Sequence, residues 1–248
     1  MSGHSKWANM KHRKGKQDAK KGKIFTKLAR AITVATREGG PEPDYNSSLA
    51  TAIEKAKAEN MPNDNIDRAI KAGLGSASGQ HFETITYEGY GPCGTAFMVQ
   101  CLTDNKNRTA ADVRHYFSKY NGNLGTTGCV GYLFDRKGII SLEMNDKIEE
   151  EAIMMAALDA GAEDFEVEED TYEITTNPED FISVLKGLKA AGYANLKGDI
   201  MYIPQTTVKV EGEENLKLLE KLIDAMEDND DIQEIYHNWD EPEDEEEE

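Results

Sequence analysis

An α+β chain with an all-helical start is predicted by three observations. Apolar residues recur at helical spacing as far as Gly73 and at strand spacing beyond it. The stretch from Gly138 to Pro204 reads strand, helix, two strands, helix, strand, the split βαββαβ order. Both flanks of that stretch supply strands and a helix of their own. The expected fold is an all-helical N-terminal domain followed by two ferredoxin-like α+β domains, one inserted in the other.

Residues 2–17 carry glycine, lysine and polar side chains with no apolar period. A helical pattern starts at Asp18, with Ile24, Leu28 and Ile32 in one stripe, and stops at Gly39-Gly40-Pro41. A second helix is expected from about Asn46 to Asn60, with Leu49, Ile53 and Ala56 inward. A third starts near Pro62-Asn63 and ends at Gly73. Gly73–His81 then reads as a linker, which makes residues 1–75 a basic arm plus a helical domain.

Beyond the linker, Glu83–Glu88 and Thr95–Thr103 are expected as two strands joined by a glycine-rich turn. A helix over Asn107–Tyr120 and a strand over Cys129–Phe134 follow. Inside the split unit come strand Ile139–Glu143, helix Asp146–Ala160 and hairpin strands Asp164–Glu168 and Tyr172–Thr175. Helix Pro178–Ala191, with Asn177 as N-cap, and strand Asp199–Ile203 complete it. Strand Thr206–Val210, helix Glu213–Glu227 and strand Ile232–His237 close the chain's ordered part. The outer domain is thus 82–135 with 205–239, and the inserted one is 138–204. A single continuous mixed sheet is the alternative. Asp240–Glu248 (DEPEDEEEE) is expected to be a disordered acidic tail.

Charge is distributed very unevenly. The formal net charge is -19, yet the first thirty residues hold ten lysines and arginines and one acid, Asp18. Residues 141–248 hold 34 acids and 7 bases. Charges further apart than a Debye length, roughly 8 Å at physiological salt, barely interact. A polyanion meeting the N-terminal arm therefore senses local positive charge. The candidate nucleic-acid-binding residues are Lys6, Trp7, Lys11, His12, Arg13, Lys14, Lys16, Lys20, Lys21, Lys23, Lys27 and Arg30. Trp7 either stacks on an unpaired base or anchors the arm on the helical domain. Lys106 and Arg108 form a candidate second anion site where a strand runs into a helix N-terminus.

Other chemistries find no support in these residues. Gly89–Gly94 spells G-x-G-x-x-G, but a strand follows where a dinucleotide site needs a helix, and Pro92 lies inside it, so it reads as a turn. Cys93, Cys101 and Cys129 form no C-x-x-C, and the five histidines lack metal-ligand spacing, so neither metal nor cofactor is expected. A reducing cytoplasm fits that cysteine usage. No apolar h-region marks the N-terminus, and the lightly charged stretch Thr84–Thr103 is broken by Glu88, Pro92 and three glycines, which excludes a membrane span there. The candidate recognition helix of a helix-turn-helix reader, Asn63–Ala72, offers Arg68 and Lys71 against Asp64 and Asp67, poor chemistry for a phosphate-lined groove. A lysine-rich, glycine-spaced arm suits folded RNA better.

Four segments carry a resemblance. Gly3-His4-Ser5-Lys6-Trp7-Ala8-Asn9-Met10-Lys11-His12, Lys21–Lys27 (KGKIFTK), Asn60–Ile66 (NMPNDNI) and Leu102–Thr109 (LTDNKNRT) closely resemble the YebC/PmpR family. Cys93 stands where that family often has glycine, and Cys129 where it often has serine. The resemblance implies three domains in a cytoplasmic protein described as a probable transcriptional regulator that binds DNA. Mitochondrial relatives are translational activators for a cytochrome oxidase subunit, and bacterial ones are linked to ribosomes stalled on proline-rich sequence. Together the residues and the resemblance give a non-enzymatic, nucleic-acid-binding regulator of gene expression. It would act as a monomer or weak oligomer, with DNA, ribosomal or transfer RNA, or the ribosome as partner. The residues lean to RNA, the family description to DNA.

Overall fold

The computed structural model describes residues 21–75, 81–145, 147–168 and 170–241. It is an α+β protein that divides into two compact units. One comprises Met1–Ser78 with Arg136–Met201, the other Gly79–Asp135 with Tyr202–Glu248.

In the first unit, helix α1 (Lys21–Gly39) packs on α2 (Ser47–Ala58) and α3 (Asn63–Leu74). Leu28, Ile32, Leu49, Ala56 and Ile66 form the shared core, all 5% exposed or less. Asn46 joins two of these helices. Its Oδ1 caps α2 by accepting from the Leu49 N–H at 3.1 Å, while its Nδ2 donates to the Ala35 and Gly40 carbonyls at 2.8 Å each. The third helix does not end at Gly73 but runs through it to Leu74. A Cβ at Gly73 would sit 2.7 Å from the Thr33 carbonyl oxygen, so glycine there permits close helix crossing.

The same unit holds a four-stranded sheet of β4 (Phe134–Glu143), β5 (Asp164–Val167), β6 (Thr171–Thr176) and β7 (Lys197–Pro204), in the order β5-β6-β4-β7. In sequence rank that is 2-3-1-4, the ferredoxin-like arrangement, and the β5/β6 and β4/β6 pairs are antiparallel. Helices α5 (Glu150–Asp159) and α6 (Phe181–Ala190) cover one face through Ile153, Ala157, Phe181 and Leu188, against Ile140 and Ile174. Helix α6 begins at Phe181 rather than Pro178. Residues 178–180 form a turn closed by the Asp180 N–H on the Asn177 carbonyl, so Asn177 is no N-cap.

The helical segment and this sheet meet through α2 and α6. Lys186 Nζ lies 2.5 Å from Asp44 Oδ1, Lys189 Nζ 2.6 Å from Glu54 Oε2, and Lys55 Nζ 2.5 Å from Asp199 Oδ2. Ala50, Ile53, Ile182 and Leu185 line the cleft between the lysine–carboxylate pairs. Burial pushes the Glu54 carboxyl up, but the bonds to Lys189 and Lys57 bring it below its usual range.

The second unit is built on strands β1 (Glu83–Tyr90), β2 (Ala96–Thr103), β3 (Asn123–Leu124) and β9 (Ile232–His237), in the order β3-β1-β2-β9 with every pair antiparallel. Helices α4 (Lys106–Lys119) and α7 (Glu213–Glu227) bury Val113, Phe117, Leu219 and Leu222 against Phe97 and Val99. Two strands expected here take other forms. Residues 129–133 are a bend and a short 3-10 turn rather than a strand, because the Glu88 carboxylate gathers their N–H groups. Residues 206–210 reduce to β8 (Val208–Lys209), which pairs in parallel with β10 (Trp239–Asp240) in a separate two-stranded sheet. The partner of β2 on that side is therefore β1.

Candidate nucleic-acid interface

Helix α1 is amphipathic in charge as well as in hydropathy. Lys23, Lys27, Arg30 and Arg37 follow one another at intervals of four, three and seven residues, so they share one face. Leu28, Ile32 and Ala35 lie buried on the opposite side. Lys23 and Arg37 are exposed, and Lys27 and Arg30 are half-buried.

Of the residues expected to bind nucleic acid, Lys6, Trp7, Lys11, His12, Arg13, Lys14, Lys16 and Lys20 lie outside the described residues. Lys23, Lys27 and Arg30 come together on α1. Arg37 extends their face and was missed in the sequence, although its seven-residue spacing from Arg30 is readable there.

The second anion site expected at Lys106 and Arg108 is corrected by the geometry. Arg108 Nη2 lies 2.6 Å from Asp231 Oδ2 and 2.9 Å from Asp104 Oδ1, so its charge is spent within the protein. Asp231 Oδ2 also accepts from Thr109 and Thr103 hydroxyls at 3.0 and 3.2 Å. The Asn105 side chain caps α4 by accepting from the Arg108 N–H at 3.1 Å. Burial pushes the Asp231 carboxyl up, but the Arg108 and Thr109 bonds outweigh it and hold the group below its usual range. The LTDNKNRT segment is thus a structural lock between β2, α4 and the residues before β9.

A second buried carboxylate lies in the same unit. Glu88, 6% exposed on β1, accepts from the Gly128 N–H on Oε1 at 2.7 Å, and from the Val130 and Gly131 N–H groups on Oε2 at 2.9 and 2.7 Å. Burial raises its pKa, and these three bonds more than reverse that. The Gly125 N–H donates to the Glu88 carbonyl at 2.9 Å, and the Tyr90 hydroxyl to the Cys129 carbonyl at 3.1 Å. The one visible signal was that Glu88 is the lone charge in Thr84–Thr103. Among the described residues no group of three or more His, Cys, Asp and Glu gathers as metal ligands, and no helix is long and apolar enough to cross a membrane.

Comparison with known proteins bears on this geometry. Residues 5–76 match the TACO1/YebC protein N-terminal domain, and residues 82–239 the TACO1/YebC second and third domain. A probable transcriptional regulatory protein of Clostridioides difficile is 60% identical over 231 residues, covering 93% of this chain and 97% of the relative. Another of that description, from Finegoldia magna, is 56% identical over 240 residues, 97% of this chain and 99% of the relative. The crystal structure of a conserved hypothetical protein from Aquifex aeolicus matches with a TM-score of 0.77 at 45% identity, over 93% of this chain and 95% of that one.

Proposed function

The chain belongs to the TACO1/YebC family, and on that premise we propose that it is a cytoplasmic, non-enzymatic regulator of gene expression that binds nucleic acid through its arm and the cationic face of α1. The observation that carries this reading is the shared face of Lys23, Lys27, Arg30 and Arg37, continuous in sequence with the seven further lysines and arginines of residues 1–21. Relatives named as probable transcriptional regulatory proteins support the regulatory role. Single-stranded or folded RNA is favoured over duplex DNA, because Asp64 and Asp67 accompany Arg68 and Lys71 on the exposed surface of α3. Two of the buried carboxylates, Glu88 and Asp231, are poorly suited to acid–base catalysis. Glu88 and Asp231 are both held below their usual range, away from the near-neutral values such chemistry uses.

Crosslinking the protein in cells and sequencing the attached nucleic acid tests the target, with ribosomal or transfer RNA expected and discrete promoter DNA as the contrary result. In vitro, K23E/K27E/R30E should weaken binding to a single-stranded oligonucleotide at least tenfold and flatten the slope of log K against log salt by about 2, at about 0.7 per phosphate. Deleting residues 2–17, which hold five of the ten bases, should flatten it by about 3.5. Undiminished binding by both variants would defeat the reading.

A further inference from the structure

Residues 125–132 form a loop whose backbone is held from several sides, yet whose Tyr132 is 66% exposed. Below it, the Glu88 carboxylate ties three N–H groups, the Cys129 N–H bonds the Thr126 carbonyl, and the Leu133 N–H bonds the Val130 carbonyl. The Tyr90 hydroxyl fixes the Cys129 carbonyl by donating to it at 3.1 Å. Gly128, at φ +87°, has nothing within 4 Å of where a Cβ would be, so the loop's crest is open to close approach. Burying a carboxylate to fix an exposed loop costs desolvation that a passive connection has no reason to incur. A large aromatic ring left exposed on a rigid support loses little conformational entropy when something stacks on it.

We propose that Tyr132 is a stacking platform for one unpaired base of a bound single-stranded nucleic acid. The inference rests on the nucleic-acid reading above and adds a second contact to it, separate in sequence from the arm. Charge permits it at this point of the chain. Residues 79–135 carry four lysines and arginines and five acids, against the 34 acids and 7 bases of residues 141–248. Two of those five acids, Glu88 and Asp104, are already matched by N–H groups or by Arg108. Base–ring stacking tolerates any sequence, because each base has a π-face. The contact therefore adds affinity without specifying a site.

The test uses the full-length protein and two fluorescent twelve-nucleotide probes, oligouridine and an abasic strand with the same phosphates. Tyr132→Ala should bind oligouridine about tenfold more weakly, within the fivefold to hundredfold that stacking one base spans, and bind the abasic strand like the unaltered protein. Its salt slope should not change, since no phosphate contact is lost. Tyr132→Phe should retain binding; Tyr132→Leu, which keeps an apolar side chain without the ring, should match the alanine variant. Exposure of the ring predicts unchanged melting for all three. Equal oligouridine binding by wild type, Tyr132→Ala and Tyr132→Leu would overturn the platform, and so would an equal loss on the abasic strand. If K23E/K27E/R30E still weakens binding in that event, the nucleic-acid reading survives. No binding of either probe by the unaltered protein would end both.

Discussion

The Gln205 N–H donates to the Leu133 carbonyl at 2.9 Å, so the chain leaves the intervening segment where it entered. The Gln205 side chain adds a bond to Asp135 Oδ1 at 3.1 Å. A segment whose ends are clasped this way can be removed without stretching the rest.

Excising residues 138–204 and bridging Lys137 to Gln205 with two glycines should therefore leave the outer domain, 82–135 with 205–239, folded on its own core of Phe97, Val99, Phe117 and Leu219. The excised segment, expressed alone, should fold on its own core of Ile140, Ile174, Phe181 and Leu188. A collapsed, poorly dispersed NMR spectrum for the isolated segment would count against this.

Arg108→Ala removes the guanidinium from the buried Asp231 carboxylate, whose Oδ2 keeps the Thr103 and Thr109 hydroxyls. The arginine side chain is 46% exposed, so solvent screens part of the pair. The loss should be about 1 kcal/mol, below the roughly 1.5–3 kcal/mol of a shielded charged hydrogen bond, which is about 3 °C in Tm for a chain this long. Asp231→Asn in the same background should recover part of it, because the uncompensated charge is gone. No recovery would place the cost in packing of the arginine stem.

Glu88 should make the loop above it sensitive to acid. Its folded pKa lies below its unfolded value, so its contribution is complete above the usual glutamate range. That contribution disappears as pH falls through the depressed value. The amide proton shifts of Gly128, Val130 and Gly131 should titrate together, with one midpoint below that of an exposed glutamate. Glu88→Gln offers one acceptor oxygen where two are used, and should shift the same three amides at neutral pH. Independent midpoints would mean that the carboxylate does not hold the loop as a unit.

Cys93→Gly should stabilise the protein. Cys93 has φ +57° on the exposed turn between β1 and β2, a left-handed conformation that costs a residue with a Cβ about 1–2 kcal/mol. Glycine removes that cost and gains some unfolded-state freedom, leaving about 0.5–1 kcal/mol, or a rise of about 2–3 °C in Tm. Cys93→Ser, which retains the Cβ, serves as the control and should melt with the unaltered protein.

Local rules determined most of this molecule from sequence alone. The three helices of the N-terminal segment, the β1/β2 hairpin and the βαββαβ order of residues 138–204 all follow from periodicity and breakers that act within a few residues. The concentration of charge between Lys6 and Arg30 is likewise a property of composition. Tertiary structure decided what depends on partners distant in the chain. Residues 129–133 have strand-like composition, but Glu88, some forty positions earlier, accepts their N–H groups before a ladder can. Arg108 reads as a free cation beside a helix N-terminus until Asp231 arrives from 123 positions away. Lys186 and Lys189 look like solvated charges on α6, and only the fold sets them against Asp44 and Glu54. A charged side chain's role depends on what it faces, and that is settled by packing rather than by neighbours in sequence.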